Sequence, residues 1–407
     1  MKFGILAYAT VVVAAVVGFA CSAEGQTYNV LYNFGTVPGD GASPSGSLIL
    51  SGSTLYGMTT YGGSAGVGNI ISYDLSTNTE SVLHNFQPGT SDGSHPFGSL
   101  LLSGSTLYGT TGNGGAQAQG TVFGFNTANN AYNFYSFAGS PNDGAGPQGS
   151  LVQSGATLYG MTTQGGANIR GTICAYDPVQ NTESSLYSFG GSASDGIIPT
   201  GSLTQSGSIF YGMTELGGRG NGTIFSFNSA NDAETPLYSF GTNPNDGMRP
   251  QGSLIQSGSV LYGLAPDGGA YGKGALFAFD TSTNMESVLY SFRGKNGDGA
   301  EPQGSLIQSG SMLYGMTSVG GMGAGTIFSF DTSTDSLAIL HAFNGGDGGF
   351  PDGDLMFDGN TLYGMAGLGN RSSGVMFSLD LPEPGCICLL AFAGCGLLLR
   401  RRRHANA

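Results

Sequence analysis

Tryptophan is absent from this 407-residue sequence, and charged residues make up only 9% of it. Between the two ends of the chain, no stretch repeats apolar residues at helical spacing over 11 or more positions. Glycine, in contrast, occurs 74 times, and each glycine inside a helix would cost about 1 kcal/mol relative to alanine. Short runs rich in Val, Ile, Leu, Phe and Tyr alternate with Gly, Ser, Asn and Asp clusters, a pattern typical of an all-β protein.

Cysteine is scarce, with five residues in all. Four of them lie in apolar segments at the two ends of the chain, so a disulfide framework is excluded. Only Cys174 stands in the middle, where equivalent segments carry Phe123, Phe225 or Phe328. We therefore expect Cys174 to be a buried core residue and not a nucleophile.

The N-terminal segment 1–23 has the features of a secretory signal peptide. Lys2 precedes an apolar run from Ile5 to Ala20, and small residues follow up to Ala23. This order predicts cleavage near Ala23 and export of the mature protein. The alternative is a lipoprotein acylated at Cys21, although Gly18 stands where a bulkier aliphatic residue is usual.

An internal repeat of about 51 residues fills positions 24–380. Its clearest marker is a Tyr-Gly pair whose tyrosines are Tyr56, Tyr108, Tyr159, Tyr211, Tyr262, Tyr314 and Tyr363. An Asp-Gly pair lies 16 residues before each, at Asp40, Asp92, Asp143, Asp195, Asp246, Asp298 and Asp347, followed by Pro four residues after the Asp and Gly six after it. The chain thus contains seven complete units.

Each unit contains four strand-like runs, which we call a, b, c and d. In the fifth unit they are 252–256, 260–265, 274–280 and 286–292, with a tight hairpin between a and b and a turn-rich crossing from d to the next a. We predict an all-β fold, a seven-bladed β-propeller of four-stranded blades. The isolated segment 28–34 would close the ring as strand d of the last blade; an open solenoid is the alternative.

The repeat resembles two known patterns. Gly325 to Thr334 is similar to part of a kelch blade, although the tryptophan of the kelch pattern is missing. The repeat as a whole, over residues 28–380, resembles the GloVer-type tandem repeat of exported bacterial proteins. This resemblance implies a propeller-like repeat and export, and it implies no established activity.

The C-terminal segment 381–407 resembles a PEP-CTERM sorting signal, which implies recognition by an exosortase-type sorting enzyme in a Gram-negative bacterium that makes exopolysaccharide. The matching residues are Pro382, Glu383 and Pro384, the apolar run 385–399, and Arg400, Arg401, Arg402 and Arg403. Fifteen apolar residues would span roughly 22 Å as a helix, which suits a transient membrane anchor held by the arginines at the cytoplasmic side. A permanent membrane anchor is the alternative.

Charge is sorted between the two faces of the predicted propeller. All seven basic residues of the region 24–380 fall in b-to-c or d-to-a connections, which share one face. The opposite face receives only acids, among them Asp74, Glu80, Asp177, Glu183, Asp280, Glu286 and Asp331. Seven basic and 25 acidic residues give this region a net charge of −18, so nucleic acid and anionic lipid are poor partners for it.

The b-to-c loops vary most between units, and variable loops on a rigid scaffold commonly carry binding sites. We therefore expect a ligand face there, with extracellular polysaccharide as the ligand. The candidate residues are Arg170, Arg219, Tyr271, Lys273 and Arg371.

Other motifs favour structural roles, and we predict no cofactor. The seven Asp-Gly aspartates suit turns that accept backbone hydrogen bonds, with a calcium ring as the alternative. His84 and His341 occupy a strand d position that is Tyr in other units, which favours packing. Asp352, Asp354 and Asp358 form an acidic patch without EF-hand spacing, so we expect them to be solvated.

No catalytic constellation is recognisable in the sequence, so we expect a non-enzymatic protein at the cell envelope, cell surface or outside the cell. Adhesion or matrix interaction is the main hypothesis. A carbohydrate-active enzyme and a purely structural envelope protein are the alternatives.

Overall fold

The computed structural model describes residues 26–89, 92–369 and 373–382, and in these ranges the chain forms 31 β-strands and no helix. The strands build seven antiparallel blades, blades 1–7, each with the predicted order a-b-c-d, and in blade 5 the outer ends of strands a and b form a separate two-stranded sheet. Blade 1 comprises β2 (Gly41–Ser51), β3 (Thr54–Gly62), β4 (Asn69–Asp74) and β5 (Thr79–Asn85); blade 2 comprises β6 (Gly93–Ser103), β7 (Thr106–Gly114), β8 (Thr121–Asn126) and β9 (Tyr132–Ser136).

Strands a and b are interrupted in some of the other blades. Blade 3 comprises β10 (Gly144–Pro147), β11 (Val152–Ser154), β12 (Thr157–Gly165), β13 (Thr172–Asp177) and β14 (Thr182–Ser188), and blade 4 comprises β15 (Gly196–Ser206), β16 (Ile209–Gly217), β17 (Thr223–Asn228) and β18 (Ala233–Ser239). Blade 5 comprises β19 (Gly247–Met248), β20 (Ile255–Ser257), β21 (Val260–Ala265), β22 (Asp267–Gly268), β23 (Ala275–Asp280) and β24 (Met285–Ser291). Blade 6 comprises β25 (Gly299–Ser309), β26 (Met312–Gly320), β27 (Thr326–Asp331) and β28 (Ser336–Ala342).

The N-terminal strand closes the ring, as the sequence predicts. Blade 7 comprises β29 (Met356–Asp358), β30 (Thr361–Ala366) and β31 (Val375–Asp380), and its fourth strand is β1 (Thr27–Asn33), which pairs with β31. The Tyr28 hydroxyl donates to the Asp347 carbonyl oxygen at 2.7 Å. A Cβ on Gly353 would collide with the Gly46 carbonyl of blade 1, so blades 7 and 1 are in direct contact.

The hydrophobic core lies between neighbouring blades. Met58 and Ile70 of blade 1, for example, form one buried cluster with Leu107 and Phe123 of blade 2. Cys174 belongs to such a cluster and is 2% exposed, which confirms its prediction as a core residue. Because each blade buries its apolar side chains against its neighbours, a single repeat cannot complete a core alone.

The crossing from d to a differs from the prediction. In blade 1 the Asp-Gly-x-x-Pro-x-Gly segment is not a loop, because Gly41 already pairs with Gly62 and Pro44 with Thr59. The ladder register then shifts between Ser45 and Ile49. Residues with positive φ, such as Ser43 and Gly46, bend this strand without ending it.

Among the described residues no helix is long and apolar enough to cross a bilayer. The predicted signal peptide with Ala23, the apolar segment 385–399, and Glu383, Pro384 and the four arginines lie outside the described residues, as does Arg371. Pro382 is the last residue that the structure describes.

Candidate functional site

The two faces of the propeller are those that the strand order predicts. In blade 1 the start of strand a pairs with the end of strand b, Gly41 with Gly62, so the d-to-a and b-to-c connections share one face. We call this the b–c face. The c-to-d turns lie at the other ends of the strands, where Asp74 pairs with Thr79. We call that the opposite face.

Exposed apolar side chains are concentrated on the b–c face. Among the described residues nine large apolar side chains are exposed, and six of them belong to connections on this face or to the strand ends beside it. The six are Val37, Tyr61, Ile169, Tyr271, Met322 and Phe350. These side chains come from several different blades, so the b–c face carries more exposed apolar groups than the opposite face without concentrating them in one blade.

A repeated backbone feature holds this face in place. The third residue after each Asp-Gly aspartate has a φ between 49° and 61°, a left-handed conformation that is uncommon for residues other than glycine. The seven residues are Ser43, His95, Gly146, Ile198, Arg249, Glu301 and Phe350. For the β-branched Ile198 this conformation is a genuine outlier, which marks a position whose surroundings impose it.

Each of these seven residues donates its backbone N–H to the b-to-c loop of the preceding blade, at 2.7–3.0 Å. The accepting carbonyls belong to Ser373, Val67, Gln119, Arg170, Asn221, Lys273 and Ala324, in the same order as the donors above. Side chains at both sets of positions differ from blade to blade while the hydrogen bond is constant. The b–c face is therefore a fixed sevenfold frame that presents variable side chains.

The candidate ligand residues occupy this frame. Arg170, Arg219, Tyr271 and Lys273 are all exposed on the b–c face, and Arg170 and Lys273 are two of the seven accepting positions. The Arg293 guanidinium lies over the Tyr271 ring, with 5.3 Å between its central carbon and the ring centroid.

Two of the basic residues on the b–c face have acidic partners. Arg249 contacts the Glu215 carboxylate and lies 3.7 Å from Asp267. The Lys273 ammonium lies 3.9 Å from the Glu301 carboxylate. Arg249 is therefore largely neutralised by its neighbours, whereas Lys273 keeps a single partner at the limit of an ion pair.

Strands a surround an axial cavity of about 240 Å³. Its wall repeats the Gly-Ser pair of blades 2 to 6, and a chain of backbone N–H to serine Oγ hydrogen bonds of 2.6–2.9 Å links successive blades from Ser47 to Ser305. A side chain on Gly46 would collide with the Gly98 carbonyl, so this close approach requires glycine.

Blade 7 breaks the axial pattern. Asp354 replaces the repeated serine, and its carboxylate accepts the Ser305 N–H. Asp352 lies two residues before it and also lines the cavity. Burial first, and then the charge of Asp354, raise the pKa of Asp352 to about 6, and burial raises the pKa of Asp354. The predicted solvated patch holds for Asp352 and Asp358, which are exposed, whereas Asp354 is half-buried. Asp352 and Asp354 line the axial cavity, and Asp358 lies in the a-to-b hairpin.

The Asp-Gly aspartates have the hydrogen-bonding role that the sequence favours. Asp143 is 6% exposed and accepts hydrogen bonds from the Tyr135 hydroxyl at 3.0 Å, the Ala138 N–H at 2.6 Å and the Gly144 N–H at 2.6 Å. Where strand d carries histidine, the imidazole takes the place of the phenol: His84 lies 3.0 Å from the Asp92 carboxylate.

Both histidines also stack on a tyrosine of the next blade. The ring centroids of His84 and Tyr132 are 4.1 Å apart, and those of His341 and Tyr28 are 3.8 Å apart. Burial lowers the pKa of His341. These contacts confirm the structural role expected of His84 and His341.

Three of the acids predicted for the opposite face lie at that end of strand d, as expected, but their side chains are half-buried. Glu80, Glu183 and Glu286 stand at the second position of strand d, and their side chains point between the blades, as does that of Glu234. Burial, and then the charges of Asp40, Asp195 and Asp246, raise the pKa of Glu80, Glu234 and Glu286 to about 7. Burial and Asp143 raise the pKa of Glu183 to about 9.

The other predicted acids of the opposite face cap the c-to-d turns. Asp74, Asp177, Asp280 and Asp331 each accept the N–H of the residue two positions later at 2.7–2.9 Å. Hydrogen bonds from Ser333 lower the pKa of Asp331 to about 2. Within residues 26–89, 92–369 and 373–382, no three His, Cys, Asp or Glu side chains come together as a metal site.

Comparison with known proteins supports the fold and the repeat. The family model described as Gloeobacter/Verrucomicrobia repeat matches residues 7–221 and 216–398, and no curated protein sequence matches the chain. An oligogalacturonate lyase solved in complex with manganese is similar in structure, with a TM-score of 0.54 and 12% identity over 88% of this chain and 97% of that one. The oligogalacturonate lyase of Vibrio parahaemolyticus has a TM-score of 0.53 and 9% identity over 88% and 98%. At these identities the likeness shows the fold alone.

Proposed function

The chain belongs to the Gloeobacter/Verrucomicrobia repeat family, and we propose that it is a non-enzymatic binding propeller that is exported to the cell surface and takes extracellular polysaccharide on its b–c face. The observation that carries the proposal is the sevenfold frame of this face. Seven equivalent backbone hydrogen bonds fix positions that carry a different residue in each blade, and a rigid scaffold with variable residues is how loop surfaces commonly achieve recognition.

The proposed localisation rests on the two terminal segments of the chain. The segment 1–23 ending at Ala23 is a signal peptide, and the PEP-type tail with Pro382, Glu383 and Pro384 is the substrate of an exosortase-type enzyme. The last strand of the propeller, β31, ends at the opposite face with Asp380, which pairs with Thr361 at the start of β30.

Mass spectrometry of the mature protein from its native host tests the proposed export and the processing of both terminal segments. We expect an N-terminus near residue 24 and a C-terminus at the PEP segment with loss of the apolar run. A mature protein that retains residues 1–23 would contradict the export proposal, and one that retains 385–407 would indicate a permanent anchor.

Glycan-array binding tests the recognition face. The variant with Arg170, Arg219, Tyr271 and Lys273 all changed to alanine should lose at least tenfold in affinity for the glycans that the unaltered chain binds. The matched control changes Val179 and Met285, which are 79% and 69% exposed on the opposite face, and it should bind normally. Equal binding by both variants would contradict the assignment of the face, and absence of any glycan binding would favour a purely structural envelope protein.

The axial acids favour a second candidate, a carbohydrate-active enzyme. Asp352, with its pKa raised to about 6, lines the axial cavity together with Asp354, whose pKa is also raised by burial, and carboxyl groups with raised pKa values are used in acid and base catalysis on glycosides. The variant D352Q/D354S gives blade 7 the residues found in other blades. Glycan cleavage by the unaltered chain that disappears in this variant would support the enzyme; binding without turnover supports the non-enzymatic protein.

A further inference from the structure

The junction between blades 5 and 6 gathers positive charge on the b–c face. The b-to-c loop of blade 5 carries Tyr271 and Lys273, and the crossing from β24 to β25 carries Arg293 and Lys295. The two segments are in contact, because the Glu301 N–H donates to the Lys273 carbonyl oxygen at 3.0 Å. A Cβ on Gly294 would lie 3.5 Å from the Lys273 Cγ. Three of the seven basic residues of the propeller thus meet at one of its seven junctions.

No other described junction has this composition. The residues at the positions of Arg293 and Lys295, five and three residues before the Asp-Gly aspartate, are uncharged in the crossings that lead into blades 1 to 5. They are Gly35 and Val37, Gln87 and Gly89, Ala138 and Ser140, Gly190 and Ser192, and Gly241 and Asn243. The charge is therefore a local addition to the repeat and not part of its folding pattern.

The cations at this junction are mostly unpaired. Among the described residues no carboxylate lies within 4.0 Å of the Arg293 guanidinium or the Lys295 ammonium, and both side chains are exposed. Asp298, the nearest acid in the crossing, is engaged elsewhere: it accepts the Tyr290 hydroxyl at 3.0 Å and the Arg293 backbone N–H at 2.9 Å. The guanidinium and ammonium groups are consequently free for an external anion.

The Tyr271 ring positions the Arg293 guanidinium. Stacking on Tyr271 restricts the conformations of the Arg293 side chain, so the N–H donors of its planar guanidinium are preorganised to bind a planar oxyanion. Tyr271 itself is 52% exposed and offers an amphipathic ring edge and hydroxyl beside the charges. Guanidinium groups bind carboxylate or sulfate oxygens in a bidentate manner, and nearby lysines add charge without directional demand.

The acids elsewhere in the protein do not prevent this binding. Asp280 caps the opposite end of the six-residue strand β23, and six residues of strand correspond to roughly 17–20 Å. At physiological ionic strength the screening length is about 8 Å. The net charge of −18 therefore restricts where an anion can bind without excluding it from this junction.

We propose that the junction formed by Tyr271, Lys273, Arg293 and Lys295 binds the anionic groups of an acidic polysaccharide, either uronate carboxylates or sulfate esters. The inference rests on the proposed recognition of polysaccharide by the b–c face and specifies its ligand class. A polymer with one anion per sugar can place successive groups on the arginine and on the two lysines.

Biolayer interferometry on the full chain tests the proposal, with immobilised polygalacturonate as the carboxylate probe, dextran sulfate as the sulfate probe and neutral dextran as the reference. The unaltered chain should bind at least one anionic polymer and bind dextran at least tenfold more weakly. R293A/K295A should weaken the anionic binding at least tenfold and reduce its dependence on salt. R249A, which removes a cation of the same face that is not among the candidate ligand residues and is paired with Glu215, should change it less than twofold.

The results separate this inference from the proposed function. Binding of neutral glycans alone, lost in R170A/R219A and retained in R293A/K295A, would overturn the inference and leave the b–c face intact as the recognition surface. Failure to bind any glycan would overturn both. Equal affinity for double-stranded DNA and polygalacturonate would overturn the polysaccharide class. Thermal unfolding of each variant confirms that it is folded, and R293K should recover only part of the affinity, because lysine lacks the bidentate fork.

Discussion

Glu183 gives the sharpest test of how the blades are joined. Its Oε1 atom is buried without a hydrogen-bond partner among the described residues, and its carboxyl group faces Asp143. Burial and the charge of Asp143 raise its pKa from 4.5 to about 9. Folding therefore favours the protonated carboxyl group. The contribution of Glu183 to the free energy of unfolding is greatest below about pH 4.5 and is lost as the pH rises towards 9.

The magnitude follows from the linkage of protonation to folding. If Glu183 were fully shielded from solvent, a pKa shift of this size would lower the free energy of unfolding by roughly 4 kcal/mol between pH 5 and pH 8, at 1.36 kcal/mol per pH unit. Because Glu183 retains partial contact with solvent, we expect on the order of 1–2 kcal/mol. The variant Glu183→Gln has no charge to desolvate, and its amide can donate to Asp143.

Urea titrations at pH 5 and pH 8 measure this effect. Glu183→Gln should raise the free energy of unfolding by on the order of 1–2 kcal/mol at pH 8 and leave it nearly unchanged at pH 5. The control Glu301→Gln changes an acid on the exposed b–c face and should show no such difference between the two pH values. A variant that is less stable than the unaltered chain at pH 8, or that gains equally at both pH values, would refute the buried carboxyl pair.

Three further predictions follow from the ring. Deleting residues 26–34 removes β1 and uncovers Phe343 and Phe377, which are 0% exposed. We expect the free energy of unfolding to fall by several kcal/mol, seen as a lower unfolding temperature and as association in size-exclusion chromatography. A monomer of unchanged stability would contradict closure of the ring by β1. Gly98→Ala should lower the free energy of unfolding by about 2 kcal/mol more than Gly104→Ala, because both glycines have positive φ but only Gly98 is in contact with the backbone of the next blade. Equal unfolding temperatures would show that the blades are not closely packed at the axis. Asp354→Ser should raise the unfolding temperature at pH 8 more than at pH 4, because burial raises the pKa of Asp354; an equal effect at both pH values would contradict the buried carboxyl.

The architecture was largely predictable from the sequence because the repeat marks every blade. The regular spacing of the Tyr-Gly tyrosines gave the number of blades, and the incomplete seventh unit together with the isolated segment 28–34 indicated how the ring closes. Cys174 could be placed in the core because it replaces a repeated phenylalanine. These inferences depend on position within the repeat, which the sequence contains directly.

The features of the site depend on information that one sequence does not contain. Left-handed residues such as Ile198 carry no local signal, since side chains of that kind rarely adopt positive φ. The burial of Glu183 depends on the twist of strand d against the next blade. Asp352 and Asp354 could be placed at the axis only once strand a was known to be the innermost strand.

The most direct test of the recognition surface is hydrogen–deuterium exchange of the full chain with and without polygalacturonate. We expect slower exchange on addition of the polymer in peptides covering 269–275 and 293–301, and no change in the turns at 177–183 and 280–286 on the opposite face. Slower exchange confined to the opposite-face turns, or an unchanged pattern everywhere at saturating polymer, would contradict it.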